Sequence, residues 1–171
     1  RFESKRWCQV MEPVSSSVAR VDFLGTGNAF CPSGRMHALA ILDEKILIDA
    51  PPTILAQMRR ANISTGKVEH ILFTHWHGDH AFGFPFLILD RKYITDISAD
   101  KILALHHRPG GREYLTSLSK LGFPGSLEDF LETRIFWNNE ESGILEGTEW
   151  SYERFPVRHT PETDPHGYEL V

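Results

Sequence analysis

Cysteine is scarce in this 171-residue chain: Cys8 and Cys31 are the two present, and neither stands in a Cys-x-x-Cys or Cys/His ligand spacing. That argues against a disulfide scaffold or a thiolate metal site and reads as reduced thiols in a cytoplasmic protein. Long hydrophobic runs are absent too. The longest, Ala81 to Leu89, is far short of the roughly 20 apolar residues a membrane helix needs, so no membrane association is expected. There is no apolar signal core behind Arg1 and no initiating methionine, so the numbering is expected to begin inside a longer gene product or after removal of residues. Excess positive charge is lacking. A net charge of −5 argues against a bulk polyelectrolyte-type nucleic-acid binder, while leaving room for a local basic patch or a metal centre that attracts phosphate. No repeat of fixed period and no linker divides the chain, so residues 1–171 are read as a single domain. The turn Gly25-Thr26-Gly27-Asn28 has no Gly-x-x-Gly behind it, which speaks against a dinucleotide fingerprint.

What is present is concentrated in Thr74-His75-Trp76-His77-Gly78-Asp79-His80. This stretch follows the apolar run Val68 to Phe73, which reads as a buried strand, and precedes a helical pattern over Ala81 to Asp90. In extended backbone His75 and His77 project from one side and Trp76 from the other. Gly78 permits a sharp turn that brings Asp79 and His80 back towards the same point. Imidazole and carboxylate donors at this spacing suit zinc, with manganese or iron as alternatives. A lone His-x-His recurs by chance; Asp-His added at a strand-to-helix junction points to a metal site.

Elsewhere, Arg20 to Gly25 alternates like a strand. His37 to Leu42 and Lys45 to Asp49 form a hairpin around Asp43-Glu44. Pro51-Pro52 opens a helix whose core stripe is Ile54, Leu55, Met58 and Ala61. In the next helix Phe84, Leu87 and Ile88 should pack inward, with Pro85 near its start. Lys101 to Leu105 reads as a strand, Arg112 to Leu121 as a helix, and Thr133 to Trp137 and Glu149 to Val157 as strands flanking an acidic loop, Asn138 to Gly147. Glu140-Glu141 in that loop reads as a solvated face. Asp49 is either a residue that orients a ligand imidazole or a capping carboxylate. His37 reads as a hydrogen-bonded core or loop histidine, His106 and His107 as turn or surface histidines, and His166 as structural or exposed.

His75-Trp76-His77-Gly78-Asp79-His80 is the His-x-His-x-Asp-His signature, and through it the chain resembles the metallo-β-lactamase fold hydrolases. Within that superfamily it is most similar to the ribonuclease Z-like branch. Phe23-Leu24-Gly25-Thr26-Gly27 opens the first strand as in that branch, and Gly167-Tyr168-Glu169-Leu170 follows a strand-ending histidine, His159. Ala50-Pro51-Pro52-Thr53 stands where the branch has Cys-Gly-Glu-Gly-Thr. The resemblance implies an α/β (α+β) fold, the αββα sandwich, of which this chain holds mainly the N-terminal part.

The same resemblance implies two metal ions, zinc first. His75, His77 and His159 would serve one, and Asp79 and His80 the other. An aspartate bridging both ions and a last histidine follow the Gly-Tyr-x-Leu strand in the family and have no match here. They are expected from a longer protein, or from another chain, as in a homodimer. A half-sandwich should leave an apolar sheet face open, at about 25 cal/mol for each Å². The implied activity is hydrolysis of a phosphodiester, RNA among the candidate substrates, by a metal-held hydroxide that Asp79 orients or deprotonates. The alternatives are another hydrolase of the fold, acting on a lactone, thioester or cyclic phosphodiester, and an inert metal-binding or interaction module.

Overall fold

The computed structural model describes residues 18–171; Cys8 and most of the irregular lead-in expected over residues 1–19 lie outside the described residues. Strands β1 (Val21–Gly25), β2 (Leu39–Leu42), β3 (Ile46–Ile48), β4 (His70–Leu72), β5 (Leu103–His106) and β6 (Ile135–Asn138) form one sheet in that order. The first three are antiparallel neighbours, and β3 to β6 run parallel. The β2–β3 hairpin turns at Asp43 and Glu44, both left-handed with φ of 52° and 58°, the tight geometry that matches strand twist. Strands β7 (Ser142–Ile144), β8 (Ser151–Pro156) and β9 (His166–Leu170) form a second, antiparallel sheet.

Helices α1 (Ile54–Arg60), α2 (Gly78–Ala81), α3 (Phe84–Asp90), α4 (Gly111–Gly122) and α5 (Glu128–Thr133) connect the strands. The larger core includes Ile41, Leu47, Ile71, Phe73 and Leu105 from the first sheet and its connections, against Ile54, Met58, Phe84, Leu87, Ile88 and Leu115 from the helices. A smaller core, with Leu42, Ile46, Leu72, Leu145 and Tyr152, lies between the two sheets. Strands buried on both faces explain why β2 and β4 read as continuous apolar runs rather than alternating ones.

Several expectations change in detail. The pattern over Ala81 to Asp90 is two helices: Gly83 N–H leaves the helical ladder to donate to Ala50 O at 2.8 Å, and Pro85 in the first turn of α3 has no N–H to offer. The approach is so close that a Cβ on Gly83 would lie 1.9 Å from the Pro51 carbonyl oxygen. Phe84, Leu87 and Ile88 are buried as expected, and Pro85 sits in the first turn of α3. In α1 the buried stripe is Ile54, Gln57 and Met58, whereas Ala61 is exposed. The acidic loop contains β7, and Glu141 pairs with Arg108 at 3.2 Å and Arg154 at 3.6 Å. Helix α5 was not legible in the sequence. The outer face of the second sheet is mixed rather than uniformly apolar: Ile144 and Phe155 are exposed, and Glu153 and Glu169 stand directly opposite one another on β8 and β9.

Candidate metal centre

The carboxyl ends of β3 and β4 and the loops after β1 and β8 meet at one end of the first sheet, where open α/β sheets place their sites. The histidine loop leaves β4 in extended form and is held to the Thr163–His166 segment by two bonds: Trp76 N–H donates to Thr163 O (3.1 Å), and His166 N–H to Thr74 O (3.0 Å). His75 and His77 face one side with ring centroids 5.0 Å apart; Trp76 turns away and packs on Phe73 and Tyr114 at 5.5 and 4.9 Å. Tyr114 Oη donates to the Trp76 carbonyl at 3.1 Å, which ties α4 to the loop. The sharp turn after His77 is the onset of α2. Gly78 has no left-handed φ, and its missing Cβ instead leaves room for the Phe82 ring, 2.8 Å from where that Cβ would stand.

His159, 82 residues further on and exposed, comes back to the pair: its Nε2 lies 3.0 Å from His77 Nδ1, and its ring 4.8 Å from that of His75. One ligand atom from each of His75, His77 and His159 falls within a common 4.8 Å. Two imidazole nitrogens sharing a tetrahedral zinc at 2.0–2.1 Å would stand roughly 3.3 Å apart, so the donor set fits one divalent ion. Asp79 and His80 adjoin it, with His80 Nε2 3.6 Å from Asp79 Oδ2.

Asp49 takes the orienting rather than the helix-capping geometry. It is buried, with a left-handed backbone (φ 65°), and Oδ1 accepts Thr74 N–H at 2.7 Å. Oδ2 accepts both Thr74 Oγ1–H and His80 Nδ1–H, each at 2.7 Å. Asp49, His75 and His80 also form a close trio of ligand atoms, but both carboxylate oxygens of Asp49 are already occupied. With its hydroxyl proton on Asp49, Thr74 Oγ1 accepts from His75 Nδ1 at 2.9 Å. One carboxylate thereby sets two histidine tautomers and leaves the Nε2 lone pairs of His75 and His80 outward.

Burial, then the neighbouring His80, depresses the His75 pKa to about 4, opposed by Asp49 and reinforced by His159 and His77. His75 is therefore neutral at physiological pH, the form in which imidazole binds metal. For His80 burial pushes downward, but the hydrogen bond and charge of Asp49, with Asp79, outweigh it and raise the pKa.

The histidines and Asp79 line a cavity of about 740 Å³, together with the Gly27–Phe30 loop, Val157 and Arg158. The loop is fixed at its base by Gly27 N–H to Met36 O and Ala38 N–H to Gly27 O, both 2.7 Å. His37 is hydrogen-bonded, as expected, through Nδ1 to Thr53 Oγ1 at 3.1 Å. His106 and His107 are not surface groups. Both are buried, His106 bonding His70 Nδ1 through Nε2 at 3.0 Å, because β5 runs between two neighbours beneath the second sheet. His166 is buried at the start of β9 and lines the cavity. The sequence reading assigned no role to Thr74 or Arg158; only their position beside candidate ligands would have drawn notice.

A family model described as anti-Pycsar protein Apyc1 matches residues 19–170. Ribonuclease Z of Listeria welshimeri is 33% identical over 130 residues, which are 72% of this chain and 40% of that protein. Ribonuclease Z of Leuconostoc mesenteroides is 28% identical over 155 residues, 84% of this chain and 46% of that one. The chain thus spans less than half the length of these relatives. Among solved structures, the short form of human tRNase Z superposes with a TM-score of 0.64 at 21% identity, covering 90% of this chain and 65% of that one. The Bacillus subtilis metallo-β-lactamase fold protein YhfI gives 0.65 at 11% identity, covering 90% and 58%. Such identities speak for the fold alone. The family match over residues 19–170 and the ribonuclease Z relatives agree with the architecture: this chain belongs to the Apyc1 family, in the ribonuclease Z-like branch of the metallo-β-lactamase fold.

Proposed function

We propose that the protein is a metal-dependent phosphodiesterase, with RNA among its candidate substrates, and that His75, His77 and His159 hold one divalent ion while Asp79 and His80 contribute to a second. The observation that carries this reading is the convergence of three imidazoles, one of them from far along the chain, on a common point in an open cavity beside a carboxylate. The ribonuclease Z relatives support the phosphodiester, and a nitrogen-rich donor set without thiolate favours zinc. When bound, such ions would lower the pKa of water towards neutrality and stabilise negative charge on a phosphoryl oxygen.

The chain's own residues supply the rest. Asp49 Oδ2 holds the Nδ1 proton of His80, and Thr74 Oγ1 takes that of His75, so both rings offer their Nε2 lone pairs without reorganisation. Asp79 orients the attacking water and accepts its proton. Trp76, wedged against Tyr114, keeps the opposite face of the loop dry and fixed.

Two measurements test the reading. Elemental mass spectrometry of the protein purified without added metal should find metal bound, and bis-para-nitrophenyl phosphate should be cleaved in preference to lactones and thioesters. Preference for a lactone or thioester would move the assignment to another hydrolase of the fold. A folded sample that binds no metal and refuses added zinc would sink the hydrolase reading.

A further inference from the structure

Two side chains at the cavity mouth remain unexplained by the metal centre. Phe30 is 89% exposed, although it stands on a loop whose base is pinned. Its backbone N–H donates to Asn28 Oδ1 at 3.1 Å, and the next residues, Cys31 and Ser33, take left-handed φ values of 46° and 57°. The loop thus holds a large apolar ring in solvent at the rim instead of folding it under, at a cost in unburied apolar area. In the strap leading to His159 stands Arg158, also exposed and without an ion-pair or hydrogen-bond partner among the described residues. Both line the same cavity as the histidines and Asp79.

A planar apolar face and a free guanidinium in the lining of one cavity suit two features of one ligand. The first is an aromatic ring, which stacks on Phe30; the second is an anionic phosphoryl group, which takes a charge-assisted bond from Arg158. Resting on the phosphodiesterase reading above, we infer that Phe30 and Arg158 are the residues that select substrate: Phe30 stacks on a nucleobase borne by the scissile phosphodiester, and Arg158 holds a non-bridging phosphoryl oxygen. Selection of the base is by stacking alone and therefore tolerant of its identity, because every base presents a π-face.

The test compares two esters with the same leaving group, thymidine 5′-(para-nitrophenyl) phosphate and methyl para-nitrophenyl phosphate, on the purified protein with zinc. The ratio of their kcat/KM values isolates the contribution of the nucleoside. We expect the nucleoside ester to be preferred, and Phe30→Ala to lower that ratio about tenfold through KM. Phe30→Tyr should keep the ratio and Phe30→Leu should lose it, which separates stacking from apolar bulk. Arg158→Ala should raise KM for both esters together, with partial recovery in Arg158→Lys. Both positions are exposed, so melting temperatures report folding independently. A ratio near one in the wild type, or unchanged in Phe30→Ala, overturns the inference while turnover leaves the phosphodiesterase reading standing. Absence of turnover of either ester overturns both.

Discussion

Replacing Asp49 by Asn probes the site through a residue expected to touch neither substrate nor metal. The volume is kept, but one acceptor oxygen becomes an N–H₂ donor. Asp49 accepts three hydrogen bonds of 2.7 Å, one at Oδ1 and two at Oδ2, and is 4% exposed. In one amide orientation the Thr74 N–H faces a donor; in the other, the Thr74 hydroxyl and His80 Nδ1–H do. Either way at least one bond to a charged acceptor is lost, worth about 1.5–3 kcal/mol, and a buried donor is left unpaired at about 1–3 kcal/mol. The expected loss of stability is roughly 2.5–6 kcal/mol, or about 5–24 °C in melting temperature for a domain of this size. Metal affinity should fall about 10–100-fold, the usual cost of losing a partner behind a ligand histidine. Competition with a chromophoric chelator measures the second quantity, and thermal melting in excess chelator the first. A variant that holds zinc as tightly as the wild type and melts with it would refute the role assigned to Asp49.

Other perturbations separate fold from site. Gly83→Ala puts a methyl group 1.9 Å from the Pro51 carbonyl oxygen and 2.8 Å from that of Ala50; backbone is the obstacle, so a loss of about 3 kcal/mol or more is expected by denaturant titration, and a loss below 1 kcal/mol would count against this packing. His159→Ala should reduce bound metal per chain while leaving the metal-free melting temperature within about 2 °C, because the residue is exposed. A large drop in that temperature would show a structural role instead. Burial, then His70 and Arg154, depresses the His106 pKa to about 3 from 6.5. The unfolded chain therefore binds a proton between those values that the folded chain refuses. Stability from this group is complete above pH 6.5 and is lost on acidification, by about 2 kcal/mol at pH 5. Urea midpoints at pH 7.5 and 5.0, with chelator present, should show this dependence in the wild type and a weaker one in His106→Asn; equal dependences would contradict it.

The elements that position the site were legible wherever local pattern and burial agree. Val68 to Phe73 is apolar because β4 is covered on both faces, and the Asp43-Glu44 hairpin follows from turn geometry carried by adjacent residues. Pro85 marked a helix start, but the diversion of the Gly83 N–H to the Ala50 carbonyl was hidden, since that partner is distant in sequence and is met only in the folded state. Strand β7 was hidden behind glutamates, because its partner β8 supplies the pairing and Arg108 and Arg154 supply the counter-charge. His106 and His107 looked like turn residues for the same reason: what buries them is a second sheet built from residues 142–170.

By itself the sequence determined the candidate donor cluster of His75, His77, Asp79 and His80, because extended backbone followed by a helix onset gathers four donors within six residues. It determined, too, through alternating and helical spacing, which residues of α1 and α3 could form a core. Tertiary structure alone decided the rest. It carried His159 across 82 positions to within 3.0 Å of His77, and it set Asp49 beneath Thr74 and His80. It also brought Phe30 and Arg158 into the lining of one cavity. Each of these depends on how sheets and loops pack in three dimensions, and contacts of that kind leave no periodicity in the chain that makes them.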